Sequence, residues 1–174
     1  MTKIQNKAKV MSDLLNPGKL TNEPDGYKVV FEREFPFSSE AVWEAITNPD
    51  KLATWFMATE MEFKQGGKMV IRFPEPDNSE SFGKITRIVQ TKLFEYYWEE
   101  ELVTWELQEL GSERCLLTLT HSKVDGQWAK SVPAGWHFML DTLKKTLAGD
   151  ETTPKIPDKQ EALKAQYAEM YKHL

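Results

Sequence analysis

The sequence predicts an α+β fold, a curved antiparallel sheet around a long C-terminal helix, with two short helices after the first strand. Three observations predict it. Trp136, Leu140, Leu143 and Leu147 fall at i, i+4, i+7 and i+11, one apolar stripe of a helix. Pro133 suits the first turn of that helix, and Gly149 the left-handed residue just past its end. The chain between residues 27 and 122 reads mostly as strands, several with one polar and one apolar face, which need such a stripe to cover them.

The elements follow in order. Residues 1–26 read as an N-terminal extension: Ile4, Ala8, Met11 and Leu15 are spaced for a short helix, Pro17-Gly18 ends it, and Thr21 to Gly26 reads as a loop. Tyr27 to Phe37 is a strand with Val29, Phe31, Arg33 and Phe35 on one face and Val30, Glu32 and Glu34 on the other. Ser38-Ser39 offers an N-cap for a helix whose apolar side is Ala41, Val42, Ala45 and Ile46, with Trp43 at its edge. Asn48 before Pro49 breaks it, and Pro49 opens a second short helix that turns Leu52, Trp55 and Phe56 inward. Met61–Phe63, a Gln65-Gly66-Gly67 turn and Lys68–Phe73 read as a hairpin. Four more strands are expected at Phe82–Gln90, Leu93–Glu99, Leu102–Leu110 and Arg114–Ser122. Residues 27–149 thus form the domain. Residues 150–174 form a linker with Pro154 and Pro157, then an amphipathic helix carrying Leu163, Tyr167, Met170, Tyr171 and Leu174.

Composition narrows the function. The net charge is −5, and the pI is near 5.3, against nucleic acid as a partner. Residues 1–19 carry four Lys against Asp13, and residues 155–174 four Lys against three acids, so the stretch between holds a net −9. A solvated acidic shell accounts for it. No apolar run is long enough to span a membrane, and Lys3 and Lys7 precede no apolar run of a signal peptide, which makes the cytoplasm the expected compartment. Cys115 is the only cysteine and reads as an inert buried thiol.

Chemistry-bearing residues are sparse. His121, His137 and His173 have no partner at zinc-ligand spacing, so no metal is expected. His121 shares parity with Leu117 and Leu119; it reads either as a histidine satisfied at a strand end or as a cavity-facing hydrogen-bonding or acid–base group. His137 reads as a helix-edge residue, and its place three residues before Leu140 leaves a partly buried position as the alternative. Arg33 and Arg72 lie among apolar strand residues; an inward Arg could clamp a carboxylate or phosphate, and outward or snorkelling placement is the commoner one. No phosphate-binding loop and no nucleophile–base pattern are present, so no catalytic residue and no cofactor are assigned.

The ordered set is more specific than any single motif. The strand Val29–Phe37 leads into Ser39-Glu40-Ala41-Val42-Trp43, then Thr47-Asn48-Pro49, Leu52 and Trp55-Phe56. Gly66-Gly67, Gly83-Lys84-Ile85, Leu117-Thr118-Leu119-Thr120-His121-Ser122 and Gly135-Trp136 follow. This resembles the START-like SRPBCC superfamily, and within it the bacterial branch similar to the C-terminal domain of activators of the ninety-kilodalton heat-shock chaperone's ATPase. The resemblance implies a helix-grip fold with a cavity between sheet and long helix. Members bind lipids, sterols, polyketides and hormones, and a few are cyclases. It makes non-catalytic binding of a small hydrophobic or aromatic molecule the first expectation. A chaperone-directed interaction protein is the second, against which stands the absence of the eukaryotic activators' separate N-terminal domain. A polyketide cyclase-like enzyme is the third. The candidate cavity residues are Trp43, Trp55, Phe56, Trp98, Trp105, Leu119, His121, Trp136, Met139, Leu140 and Leu143. A monomer or weak dimer is expected.

Overall fold

The computed structural model describes residues 15–150 and 157–174; the expected helix from Ile4 to Leu15, apart from Leu15 itself, and the linker around Pro154 lie outside them. Among the described residues are eight strands, β1 Lys19–Glu23, β2 Gly26–Phe35, β3 Ala58–Met61, β4 Lys68–Arg72, β5 Glu80–Val89, β6 Leu93–Trp98, β7 Glu101–Gly111 and β8 Arg114–Val124. Four helices accompany them: α1 Ser39–Thr47, α2 Pro49–Trp55, α3 Val132–Leu147 and α4 Pro157–Met170. The strands form one antiparallel sheet in the order β1-β2-β8-β7-β6-β5-β4-β3. None of the described helices is long and apolar enough to cross a membrane.

Local chemistry sets the turns between elements. Ser38 caps α1, its hydroxyl accepting from the Ala41 N–H at 3.2 Å. Asn48 leaves α1 in an extended conformation and caps α2 by accepting from the Asp50 N–H at 3.0 Å, with Pro49 in the first turn. The two helices carry the chain from β2 to β3 at the far edge of the sheet. Trp43, expected at a helix edge, is buried instead, its ring edge-on to Phe63 and Phe94.

The register stacks inward side chains in rows. Val29, Phe31, Arg33 and Phe35 of β2 face His121, Leu119, Leu117 and Cys115 of β8. Across β8 lie Val103, Trp105 and Leu107 of β7, opposite His121, Leu119 and Leu117. All are buried, and burial pushes the Cys115 thiol pKa up, which keeps it inert. The helix α3 lies over these rows with Ala134, Trp136, Leu140 and Leu143 buried, Pro133 in its first turn and Gly149 at φ +77° just beyond its end.

Three local readings are corrected. Thr21 to Gly26 is not a loop throughout: Lys19–Glu23 is an edge strand paired with β2 from Lys19↔Val30 to Glu23↔Gly26. The helix α4 fixes it there. The Tyr167 hydroxyl accepts the Gly18 N–H at 2.8 Å, while the Tyr171 hydroxyl accepts the Leu20 N–H at 3.0 Å and donates to the Gly18 carbonyl at 2.7 Å. Arg33 points inward, 8% exposed, its guanidinium over the Phe31 ring and Nη1 2.8 Å from Asp141 Oδ1. Strand parity decides its direction, and Asp141 on α3 supplies the counter-charge. Arg72 is outward as expected, bonded to Glu60 and Glu80. His137 is buried rather than at the helix edge, because α4 covers that side of α3 and brings the Tyr167 hydroxyl to 2.8 Å from Nδ1.

Gly18 is the tightest point of this corner. A Cβ there would sit 2.3 Å from the Phe31 ring. Gly18→Ala is expected to cost about 2 kcal/mol, as overpacking of a core does. A urea denaturation midpoint equal to that of the parent would contradict it.

Candidate functional site

Three turns and the first half of α3 surround a recess at one end of the sheet. The β1–β2 turn supplies Asp25 and Gly26, the β6–β7 turn Glu99 and Glu100, and the β8–α3 connection Asp125, Gly126 and Trp128. Val132, Gly135, Trp136 and Met139 project from α3, and Tyr27, Phe73, Trp98 and His121 complete the apolar and aromatic wall. The recess holds about 830 Å³ and opens to solvent. Such a volume accommodates a drug-sized molecule.

A β-bulge shapes the wall. Val29 pairs with His121 and Tyr27 with Val124, so Lys28 faces two residues, Ser122 and Lys123. Lys123 takes φ 60° at this step. Simple alternation from His121 would turn Lys123 inward; the extra residue turns Val124 inward and leaves Lys123 exposed.

The polar groups are ordered. The Trp136 indole N–H donates to His121 Nδ1 at 2.9 Å. The neutral imidazole therefore carries its proton on Nε2. That atom lies 2.7 Å from Glu101 Oε2, but the N–H is not directed at that oxygen, and Nε2 makes no hydrogen bond. Glu101 Oε1 accepts from the Trp128 indole N–H at 2.8 Å and the Asp125 N–H at 3.1 Å. Burial works to raise the Glu101 pKa, but the His121 imidazole 2.7 Å away and the bonds from Trp128 and Asp125 outweigh it and hold the carboxyl below its ordinary value. The Trp98 ring lies parallel to His121, centroids 6.2 Å apart, and edge-on to Trp136 at 6.2 Å. Among the described residues no three His, Cys, Asp or Glu converge in a way that could hold a metal ion.

The eleven sequence-derived candidates divide. Trp98, His121, Trp136 and Met139 line the recess. Trp43, Trp55, Phe56, Trp105, Leu119, Leu140 and Leu143 do not. Leu119, Leu140 and Leu143 are fully buried where α3 contacts the sheet. Trp55, Phe56 and Trp105 form the layer behind the wall: Phe56 stacks on Trp136 at 5.7 Å, and Trp105 meets it edge-on at 5.4 Å.

The model of the Activator of Hsp90 ATPase homolog 1-like protein family matches residues 36–148. The chain belongs to that family. Its architecture is shared with a conserved protein of unknown function, EF2215 from Enterococcus faecalis (TM-score 0.75, 21% identity, 97% of this chain and 96% of that one). It is also shared with CalU16 from Micromonospora echinospora (TM-score 0.68, 21% identity, 87% and 91%). DynU16, a protein of the dynemicin biosynthetic locus, is similar over 70% of this chain and 47% of its own, at 22% identity and a TM-score of 0.59. At these identities the likeness shows the fold alone, a helix-grip arrangement of a curved antiparallel sheet and a long helix. None of the curated proteins compared matches the chain.

Within this member of the Activator of Hsp90 ATPase homolog 1-like family, sequence reasoning missed Tyr27, Phe73, Glu101, Trp128 and Gly135 as wall residues. One signal lay in α3. Gly135 sits inside α3, where glycine costs a helix about 1 kcal/mol relative to Ala. A Cβ built there meets nothing within 4 Å, so the glycine leaves open space at the wall.

Proposed function

We propose that the protein binds a small hydrophobic or aromatic molecule in this recess and does not transform it. The observation that carries this reading is the wall itself: Trp98, Trp136, Tyr27, Phe73 and Met139 around about 830 Å³ of open space, with His121 as a convergent polar group. Apolar enclosure supplies affinity and the polar group fixes orientation. The likeness to CalU16 and DynU16 agrees with a ligand-binding scaffold.

Calorimetric titration with flavonoids, anthraquinones and other polycyclic aromatics tests it. A ligand of about 20 heavy atoms at about 0.3 kcal/mol per atom would bind with Kd in the tens of micromolar. Gly135→Phe places a ring in the open space and removes a helix glycine. It is expected to abolish binding while the melting temperature holds or rises. Absence of binding across the panel, or unchanged binding to Gly135→Phe, would contradict the proposal.

One observation favours a second, cyclase-like reading: His121 Nε2 stands 2.7 Å from a carboxylate at an aromatic wall. Acid–base work by His121 would make turnover of a poly-β-ketone mimic depend on it. Turnover retained in His121→Ala would exclude it.

A further inference from the structure

We propose that the recess selects ligands that join an aromatic body to a positively charged amine. The inference rests on the binding reading above and names the ligand class for the same site.

Five carboxylates, Asp25, Glu99, Glu100, Glu101 and Asp125, border the recess, against one ammonium, Lys123. That ammonium is turned away. The bulge leaves Lys123 exposed, and its Nζ sits 3.4 Å from the Tyr97 hydroxyl and 5.4 Å from that ring's centroid. Tyr97 is not part of the wall. Asp25 and Glu100 are exposed and make no hydrogen bond or ion pair among the described residues, so their charge is uncompensated. Carboxylates at the rim of an apolar cleft focus a negative potential into it. The half-buried Trp98 ring adds to this, since an indole ring attracts a cation over its plane.

His121 supplies an independent pointer to a ligand. Its side chain is 5% exposed and borders the recess, and Nε2, which carries the proton because Trp136 donates to Nδ1, lies 2.7 Å from Glu101 Oε2 without forming a hydrogen bond to it. A buried donor without an acceptor is costly. A carbonyl, ether or hydroxyl oxygen on the ligand's aromatic body would satisfy it. The amine would then lie among the rim carboxylates and the aromatic body against the wall that Trp98, Tyr27 and Met139 form. The same rim repels carboxylated ligands such as fatty acids.

Calorimetric titration with three matched probes tests the selection: 2-naphthylmethylammonium, 2-naphthylmethanol and 2-naphthylacetate. At low ionic strength the ammonium is expected to bind about tenfold tighter than the alcohol, and the acetate most weakly. In the Asp25→Asn, Glu100→Gln double variant the alcohol's Kd should stay and the ammonium's advantage should fall to about threefold or less. Equal binding of ammonium and alcohol, or an advantage that survives in the double variant, overturns the cation selection and leaves aromatic binding standing. Failure of all three probes to bind overturns the binding reading and this inference with it.

Discussion

Removing residues 158–174 is expected to lower the stability of the domain by about 5 kcal/mol, comparable with the whole stability of many single domains. The helix α4 and the turn that ends it bury Tyr167, Met170 and Tyr171 against the rest of the chain. Each such side chain contributes about 1.5–3 kcal/mol on burial. The deletion also strips the hydroxyl partners from Gly18 and Leu20, which hold β1 at the sheet edge. The melting temperature of the truncated chain should fall by about 10–20 °C. An unchanged melting curve would show that α4 merely rests on the surface. Tyr167→Phe is the milder form. It leaves the Gly18 N–H without its acceptor and removes the hydrogen bond between the Tyr167 hydroxyl and His137 Nδ1, and should cost about 2 kcal/mol.

Stability is also expected to fall by about 3 kcal/mol as the pH drops from 6.5 to 4, because His137 is buried neutral. Burial, then the Arg33 charge, lower its pKa from 6.5 to about 4, against the opposing pull of Asp141. Arg33 faces it from β2, Asp141 from its own helix at 3.5 Å and Tyr167 from α4. The unfolded chain binds a proton near pH 6.5 and the folded chain only near pH 4. Between these values the unfolded state carries more protons, so acid favours unfolding. The contribution is complete above pH 6.5 and lost by pH 4, each pH unit in that window carrying about 1.4 kcal/mol. Urea denaturation across this range checks it. His137→Gln should flatten the slope, and a slope that persists in that variant would assign it to another group.

The fold was legible where local chemistry and periodicity agree. Pro133, the Trp136–Leu147 stripe and Gly149 delimit α3, and Ser38 and Asn48-Pro49 delimit α1 and α2. The edge strand β1 was not legible, because only Leu20 in Lys19–Glu23 is buried and polar residues fill both faces. Pairing with β2 and two tyrosines from the far end of the chain make it a strand. Arg33 is similar: parity pointed inward, but its partner Asp141 lies 108 positions away.

The candidate site was half legible for a related reason. Alternation tells which side chains share the inner face, and Trp98, His121 and Trp136 do. It does not tell where α3 and the sheet part. They close over Leu119, Leu140 and Leu143 and part toward the start of α3, where three turns form the rim. Those turns carry Asp25, Glu100 and Trp128, which periodicity does not register as wall residues. The glycine inside α3 and the tryptophan in the polar turn after β8 were the local departures from pattern, and both border the recess.

The six indole N–H resonances test the account most directly, because three tryptophans border the recess and three do not. On titration with a bound polycyclic aromatic, the signals of Trp98, Trp128 and Trp136 are expected to shift in a saturable, concerted way. Those of Trp43, Trp55 and Trp105 should move little. Saturable binding that shifts Trp43 and Trp55 while leaving Trp98, Trp128 and Trp136 in place would contradict the assignment of the recess as the ligand site.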